Sequence, residues 1–228
     1  MIVFENTEVM GWSPAIRGMR NPMNSWDKSD SKMINATLKN FEVAPGVEEM
    51  QYVPCEPYIS IGEEDYDLME KLCRAGSDHR KFMRMIDVYV DITAPIYWWK
   101  EFDTYKVGTV ANSCSTMHKI HSRDLTLDDF SCEHLDEFGI NMLKQVIRRI
   151  NTNRGFYLRE KDKDFWWQMI QLLPSSYNQK RTVKLNYEVL RNIYHARKNH
   201  KLDEWREGFC GWIEDLPYSD LITGDRDD

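Results

Sequence analysis

The side chains able to do chemistry fall into three groups. Towards the carboxyl end, Lys180, Arg181, Lys184, Arg191, Arg197 and Arg206, with further lysines between them, locally invert the charge of an otherwise acidic chain. Arg197 and His200 stand about one helical turn apart, and Arg206 follows six residues after His200. A helix end followed by a new helix would bring these three onto one anion, and a guanidinium suits a bidentate phosphate or a planar imide. The same residues also fit a solvated helix face on which Glu204 and Glu207 supply ion pairs. The second group is the polar run NSCST, Asn112 to Thr116, with His118 four residues after Cys114. An imidazole at that distance would activate a thiolate, but no acid stands at a fixed spacing to orient it, so Cys114 reads as an ordinary thiol. His118 and His121 form an HxxH pair with no neighbouring ligand to complete a set, and no metal is assigned. The third group, Arg17, Arg20 and Lys28, either covers an anionic ligand or is solvated.

Common reaction signatures are missing: the sequence has no GxGxxG after a strand, no GxxxxGK[ST], no GxSxG and no HExxH. With 30 basic and 37 acidic residues among 228, the net charge is −7, which disfavours an extended nucleic-acid partner while leaving room for a local basic pocket. No apolar run reaches the roughly 18 residues of a membrane span, so a cytoplasmic protein without a membrane partner is expected. Cys55, Cys73, Cys114, Cys132 and Cys210 are odd in number and lack CxxC spacing, the mark of thiols in a reducing compartment. Eight Trp and eleven Tyr call for large buried contacts, interfaces or stacked ligands.

The elements that must position these groups follow from periodicity. Residues 1–58 carry Pro14, Pro22, Pro45, Pro54 and Pro57 with several glycines, which predicts a loop-rich lead-in without long regular elements. EEDYDLMEKLCRAG, from Glu63, has acids in its first turn, apolar residues at helical spacing and Gly76 as a stop. Ile86, Val88, Val90 and Ile92 alternate with Asp87, Tyr89 and Asp91 as a strand with one buried face, and Pro95 leads directly into a helix carrying Trp98, Phe102 and Tyr105. Four more helices are predicted: one from Leu135 to Ile150 ending before Gly155, one around Phe165 to Leu173 closed by Pro174, one from Leu185 to Ala196, and one carrying Trp205, Phe209, Trp212 and Ile213. The expected class is α+β, mixed helices around a small antiparallel sheet, as one domain over 59–223 with an acidic tail at 224–228.

Two stretches resemble the flavin-dependent thymidylate synthases. In DHRKFMRMIDVYVDITAPIYWWKEFDTYKVGTVANSCSTM, Asp78 to Met117, His79 falls on the family's first histidine and Thr104, Tyr105 and Lys106 on its Arg-His-Arg triplet. Asn112, Cys114 and Thr116 fall on the Glu, Ser and Arg of the loop that follows. From Leu172 to Tyr218, Leu173-Pro174 matches the family's Leu-Pro and Asn186 begins its Asn-x-Arg-Ser element. Arg197 matches the arginine ending that helix, and His200, Glu204 and Arg206 match a histidine, glutamate and arginine at the family's offsets. Two positions depart: Lys106 is the triplet's one remaining positive charge, and Glu188 stands where the family has a phosphate-binding arginine.

The resemblance implies a homotetramer with FAD between subunits and dUMP or a related pyrimidine nucleotide against the flavin. NADPH and methylenetetrahydrofolate are the implied co-substrates. It implies that Arg206 stabilises charge on the uracil imide, that His79, Lys106 and Asn186 contact the flavin or its phosphates, and that His200 orients Arg206 or touches the flavin ring. Asn112, Cys114, Ser115, Thr116 and Arg197 are the implied nucleotide contacts. The departures leave two alternatives open: a catalytically silent or altered nucleotide- or flavin-binding protein on the same scaffold, and a pyrimidine hydroxymethylase.

Overall fold

The computed structural model describes residues 2–44 and 47–224, so the acidic tail lies outside the described residues from 225 onward. In chain order the elements are β1 (Val3–Met10), α1 (Trp12–Arg20), β2 (Lys32–Ala44), β3 (Val47–Ser60), α2 (Glu63–Arg74), β4 (Asp87–Pro95) and α3 (Ile96–Phe102). There follow β5 (Val110–Ser113), α4 (Thr116–Lys119), α5 (Glu137–Glu160), α6 (Lys163–Leu172), β6 (Asn178–Asn186), α7 (Tyr187–Arg197), α8 (Cys210–Glu214) and α9 (Asp220–Thr223). The class is α+β, helices with a small antiparallel sheet, as the periodicity predicts. The elements divide between two compact units, one of Met1–Val9 with Asp87–Thr223 and one built on Met10–Ile86. None of the described helices is long and apolar enough to cross a membrane.

The larger unit is organised by a sheet of order β1-β4-β6-β5, in which β4–β6 and β5–β6 pair antiparallel. On β4 the predicted alternation is realised: Val88, Val90, Ile92 and Ala94 are buried and the residues between them are not. The other face is a polar ladder. Asp91 accepts from Thr182 at 2.6 Å and Asn6 at 3.0 Å, Lys180 reaches Glu5 at 2.9 Å, and Lys184 meets Asp87 at 2.6 Å. Opposed charges across a strand pair stabilise it, so part of the expected basic cluster is spent here. Leu185, read as helical, belongs to β6, where Val183 and Leu185 supply the buried face.

Helix α3 leaves β4 at Pro95 and drives Trp98, Trp99 and Phe102 into the core. There Trp98 meets Trp205 at 4.5 Å and Phe209 at 5.7 Å between ring centroids. A second cluster lies under α5 and α6, with Ile120, Leu125, Phe130, Leu143, Ile147, Ile150 and Met169 buried together. Helix α5 is capped by Asp136, which accepts from the Gly139 N–H at 2.7 Å. It does not stop before Gly155 but runs to Glu160. An internal glycine costs a helix only about 1 kcal/mol. Beyond it, Tyr157 packs against that cluster and Phe156 stacks on Phe165 at 5.0 Å, which outweighs that cost.

The smaller unit corrects the loop-rich reading of the first 58 residues. They contain β1, α1 and a hairpin in which β2 and β3 pair from Lys32↔Ser60 to Ala44↔Val47. Pro54 sits in β3 opposite Ala36, and a two-stranded ribbon tolerates proline because each strand has an edge free of the ladder. Gly11, at φ 96°, begins α1, and a Cβ there would lie 2.0 Å from the Met85 carbonyl oxygen. Arg20 neither covers a ligand nor faces solvent: it is 3% exposed and its Nε donates to Asp65 at 2.6 Å.

Candidate functional site

Helical spacing on and just beyond α3 aligns Tyr97, Glu101 and Tyr105, four residues apart, towards the end of α7 and the turn after it. Arg197, in the last turn of α7, donates from Nη1 to Glu101 Oε2 at 2.8 Å and from Nε to the Tyr105 hydroxyl at 2.8 Å. Its guanidinium also lies 4.8 Å from the centre of the Trp205 ring, a cation–π contact. His200 brings Nε2 to 3.4 Å from the same Glu101 oxygen, while its Nδ1 accepts the Leu202 N–H at 3.2 Å. An accepting Nδ1 puts the proton of the neutral ring on Nε2, the nitrogen nearer Glu101. Arg197 and His200 therefore meet at one anion, a carboxylate of this chain, and Arg206 does not join them there.

Arg206 belongs to a π-helical turn, Glu204–Phe209. Its Nη2 pairs with Asp203 and with Glu207 at 2.7 Å, and its Nη1 reaches the His200 carbonyl at 3.4 Å. The Glu207 and Asp203 carboxylates hold the guanidinium above its usual pKa. The expected pairing with Glu207 is present; Glu204 instead is buried and accepts from the Tyr97 hydroxyl. Burial, reinforced by that carboxylate, pushes the Tyr97 phenol well above its ordinary range. Within this cluster the two guanidiniums pair with the three carboxylates of Glu101, Asp203 and Glu207, and Glu204 adds a fourth beside Tyr97, so a free anion is not attracted to it as it stands.

The loop residues form a second locus in the same unit. Ser115 caps α4 by accepting the His118 N–H at 3.2 Å. Gln179 donates from Nε2 to the Cys114 carbonyl at 3.0 Å and to the Thr116 hydroxyl at 3.2 Å. A cleft of about 300 Å³ is lined by Cys114, Ser115, Thr116, Arg123, Tyr177 and Lys180 among others. Arg123 is held there by both oxygens of Asp129. Burial would raise the Asp129 carboxyl, but the Arg123 guanidinium overrules it and the pKa is lowered. Asn112 is exposed on β5 opposite Thr182.

Lys106 is exposed and has no ion-pair partner among the described residues; it lines a hollow of about 400 Å³ with Phe102, Asp103, Tyr105, Thr109 and Ala111. Asp103 accepts from Arg181 at 2.7 Å, and Arg181 donates to Gln179 at 3.0 Å. This relay joins the Lys106 hollow to the loop at Cys114 and Thr116. Asn186 caps α7 by accepting the Val189 N–H at 3.0 Å. Its Nδ2 lies where a Cβ on Gly108, at φ 77°, would come within 3.2 Å. Losing the cap in Asn186→Ala is expected to cost about 0.5–2 kcal/mol. Asn186→Asp keeps the accepting oxygen and removes only the amide, so thermal denaturation of both variants separates capping from any contact through Nδ2.

Of the ten residues the sequence picks out, nine lie in the larger unit; His79, exposed ahead of the 3₁₀ turn Arg80–Met85, lies in the smaller one. Arg197, His200 and Arg206 are in one cluster, tied to the Lys106 triplet through Tyr105. Trp98 and Trp99, which could have been core or stacking platforms, are core. Sequence reasoning missed Tyr97, Glu101, Gln179 and Arg123. The repeat Tyr97, Glu101, Tyr105 at four-residue spacing was the available signal for the first two.

No family model and no curated protein sequence matches the chain. Among solved structures it is similar to thymidylate synthase X from Helicobacter pylori with FAD and dUMP, at 13% identity and a TM-score of 0.63, over 97% of this chain and 95% of that one. A second structure, flavin-dependent thymidylate synthase of Helicobacter pylori complexed with FAD and dUMP, matches at the same identity and TM-score over 97% of this chain and 96% of that one. The chain has the α+β fold of those flavin-dependent thymidylate synthases.

Proposed function

We propose that the chain binds FAD and a pyrimidine nucleotide, and transfers a one-carbon unit from methylenetetrahydrofolate to dUMP with reduced flavin as hydride donor and NADPH as reductant. The active form would be a homotetramer with sites between subunits. The observation that carries this reading is the hydrogen bond from Arg197 to Tyr105: it joins, across 92 residues of chain, the two stretches in which the resemblance resides. The fold of the similar structures supports it.

The residues present fit a flavin. Gly108 lets its backbone pack close to Asn186 and Val189, since a Cβ there would sit 2.9 Å from Val189 Cγ2 and 3.2 Å from Asn186 Nδ2. On this reading Lys106, which is exposed, would hold the cofactor's phosphates, Asn186 and His200 would contact its ring edge, and an exposed His79 would come from a neighbouring subunit. Bound flavin supplies the hydride. Arg206 would stabilise negative charge on the uracil imide, as a guanidinium aimed at developing charge does. To do so it exchanges Asp203 and Glu207 for substrate, and exposed ion pairs are weak and salt-screened, so the exchange is open. Asn112, Cys114, Ser115, Thr116 and Arg197 line the nucleotide.

The visible spectrum after addition of FAD, together with tritium release from C5-labelled dUMP, tests the reading. A bound-flavin spectrum and release are expected; neither signal from the folded protein would refute it. The product's mass separates a methyl from a hydroxymethyl group. A second reading, a silent or altered binding protein on this scaffold, is favoured by the two carboxylates on Arg206 and the single charge left in the triplet. If Arg206→Ala abolishes a measurable turnover with the fold intact, that second reading fails.

A further inference from the structure

Two polar side chains stand on the core side of β6. Strand alternation puts Gln179 and Arg181 on the same face as the buried Val183 and Leu185, so their polar atoms need partners. These come from both sides. Arg181 lies over the Trp99 ring at 4.2 Å, donates from Nη1 to Asp103 at 2.7 Å and from Nε to Gln179 Oε1 at 3.0 Å. Gln179 Nε2 donates in turn to the Cys114 carbonyl at 3.0 Å and to the Thr116 hydroxyl at 3.2 Å. The orientation of this amide is fixed by its neighbours, because a guanidinium only donates and a backbone carbonyl only accepts. Oε1 and Nε2 share one rigid plane, so Oε1 cannot follow a movement of Arg181 without shifting Nε2 against the loop. Asp103 lines the Lys106 hollow, while Cys114, Thr116 and Gln179 itself line the other cleft. Asp103, Arg181 and Gln179 thus run from one cavity to the other within a single unit.

We propose that Gln179 is a positioning residue that couples occupancy of the Lys106 hollow to the order of the loop at Cys114 to Thr116. It acts through Arg181 and Asp103 on one side and through the two loop residues on the other. A ligand that draws Asp103 into the hollow moves Arg181, and the amide carries that movement to the loop. The inference rests on the proposed function for the two ligands: FAD at the hollow and dUMP at the loop, whose separation Gln179 then fixes. A carboxylate in place of the amide would keep the bond from Arg181 and lose both donations to the loop. Gln179→Glu therefore disconnects one side only, whereas Gln179→Met, similar in length, disconnects both.

Amide hydrogen exchange of the full chain tests the coupling. In native protein, FAD alone, with no nucleotide present, is expected to slow exchange over residues 113–119 about fivefold or more, the lower end of an ordinary coupling between sites. Both variants are expected to bind FAD and to reduce that protection to within about twofold. With both ligands saturating, tritium release from C5-labelled dUMP is expected to fall on the order of tenfold to a hundredfold in both, as a misplacement near 1 Å does. The loss should appear in kcat, with KM for dUMP changed less than about threefold; a merely structural role would lower the thermal midpoint and leave kcat of the folded protein where it was. FAD binding without protection of the loop in native protein overturns the inference and leaves the proposed function standing, as does equal kcat in native protein and Gln179→Glu. Loop protection without tritium release keeps the coupling and removes the proposed reaction. If FAD does not bind, both fall together. The exchange comparison on native protein needs no variant, so it decides even if neither substitution folds.

Discussion

Asp65→Ala is expected to cost about 3–5 kcal/mol of stability, because it strands a buried guanidinium. Arg20 and Asp65 are 4% and 0% exposed at their side chains and 2.6 Å apart. Asp65 also accepts from the Ser29 hydroxyl at 2.7 Å and from the Ser31 hydroxyl at 2.6 Å, so one carboxylate ties α1, the segment before β2 and the start of α2 together. Replacing both partners with apolar residues, Arg20→Met with Asp65→Leu, is expected to recover part of the loss, since neither charge is then buried alone. Burial by itself would raise the Asp65 carboxyl; the Ser31, Ser29 and Arg20 hydrogen bonds overrule it and hold the pKa below its ordinary value. A depressed folded-state pKa contributes stability above the unfolded value of about 4 and loses it as pH falls through the folded value. Urea unfolding measured from pH 7 downwards should therefore show an acid-side decline below about pH 4 that is reduced in Asp65→Ala. An unchanged midpoint at neutral pH would show that the pair contributes nothing.

Trp98→Ala is the other large effect, about 3–5 kcal/mol, the usual cost of a cavity left by a buried aromatic. The ring is fully buried among Trp99 at 4.9 Å, Phe102 at 5.1 Å and Trp205 at 4.5 Å. For a chain of this size the midpoint should fall by on the order of 10 °C. The damage also reaches the candidate site, because Trp205 is the ring under Arg197. Trp98→Phe is expected to cost less than half as much. It keeps most of the packing and removes an indole N–H that is buried without a partner among the described residues. Calorimetry of the two variants decides the matter: equal losses would mean that the full indole shape, and not an aromatic ring as such, is what the core depends on.

The parts of this fold that were legible are those whose signal is complete within one element. The two-residue alternation of Val88, Val90 and Ile92 specifies a half-buried strand whatever lies beside it, and Pro95 behind it starts α3 as expected. Acids in the first turn and Gly76 after the last bracket α2 in the same way. Strand β6 was not legible, because its middle, Lys180 to Thr182, reads as a basic loop until Glu5, Asp91 and Asp103 are brought to it from distant parts of the chain. The β2–β3 hairpin was hidden by its prolines, which a ribbon with free edges accepts.

The same division holds for the site. Spacing alone placed Arg197 and His200 together, since one helical turn and the loop after it are local geometry. Residue types alone could not say that Glu101 would meet them, that Arg206 would turn to Asp203 and Glu207, or that Arg20 would be buried against Asp65. A charge's partner is chosen by whichever carboxylate the packed chain delivers within about 4 Å, where the Coulomb energy becomes large. The sequence determined which elements form and which cations are available; the tertiary structure decided which of those cations are already spent, because ion pairing is set by distance in space and not along the chain.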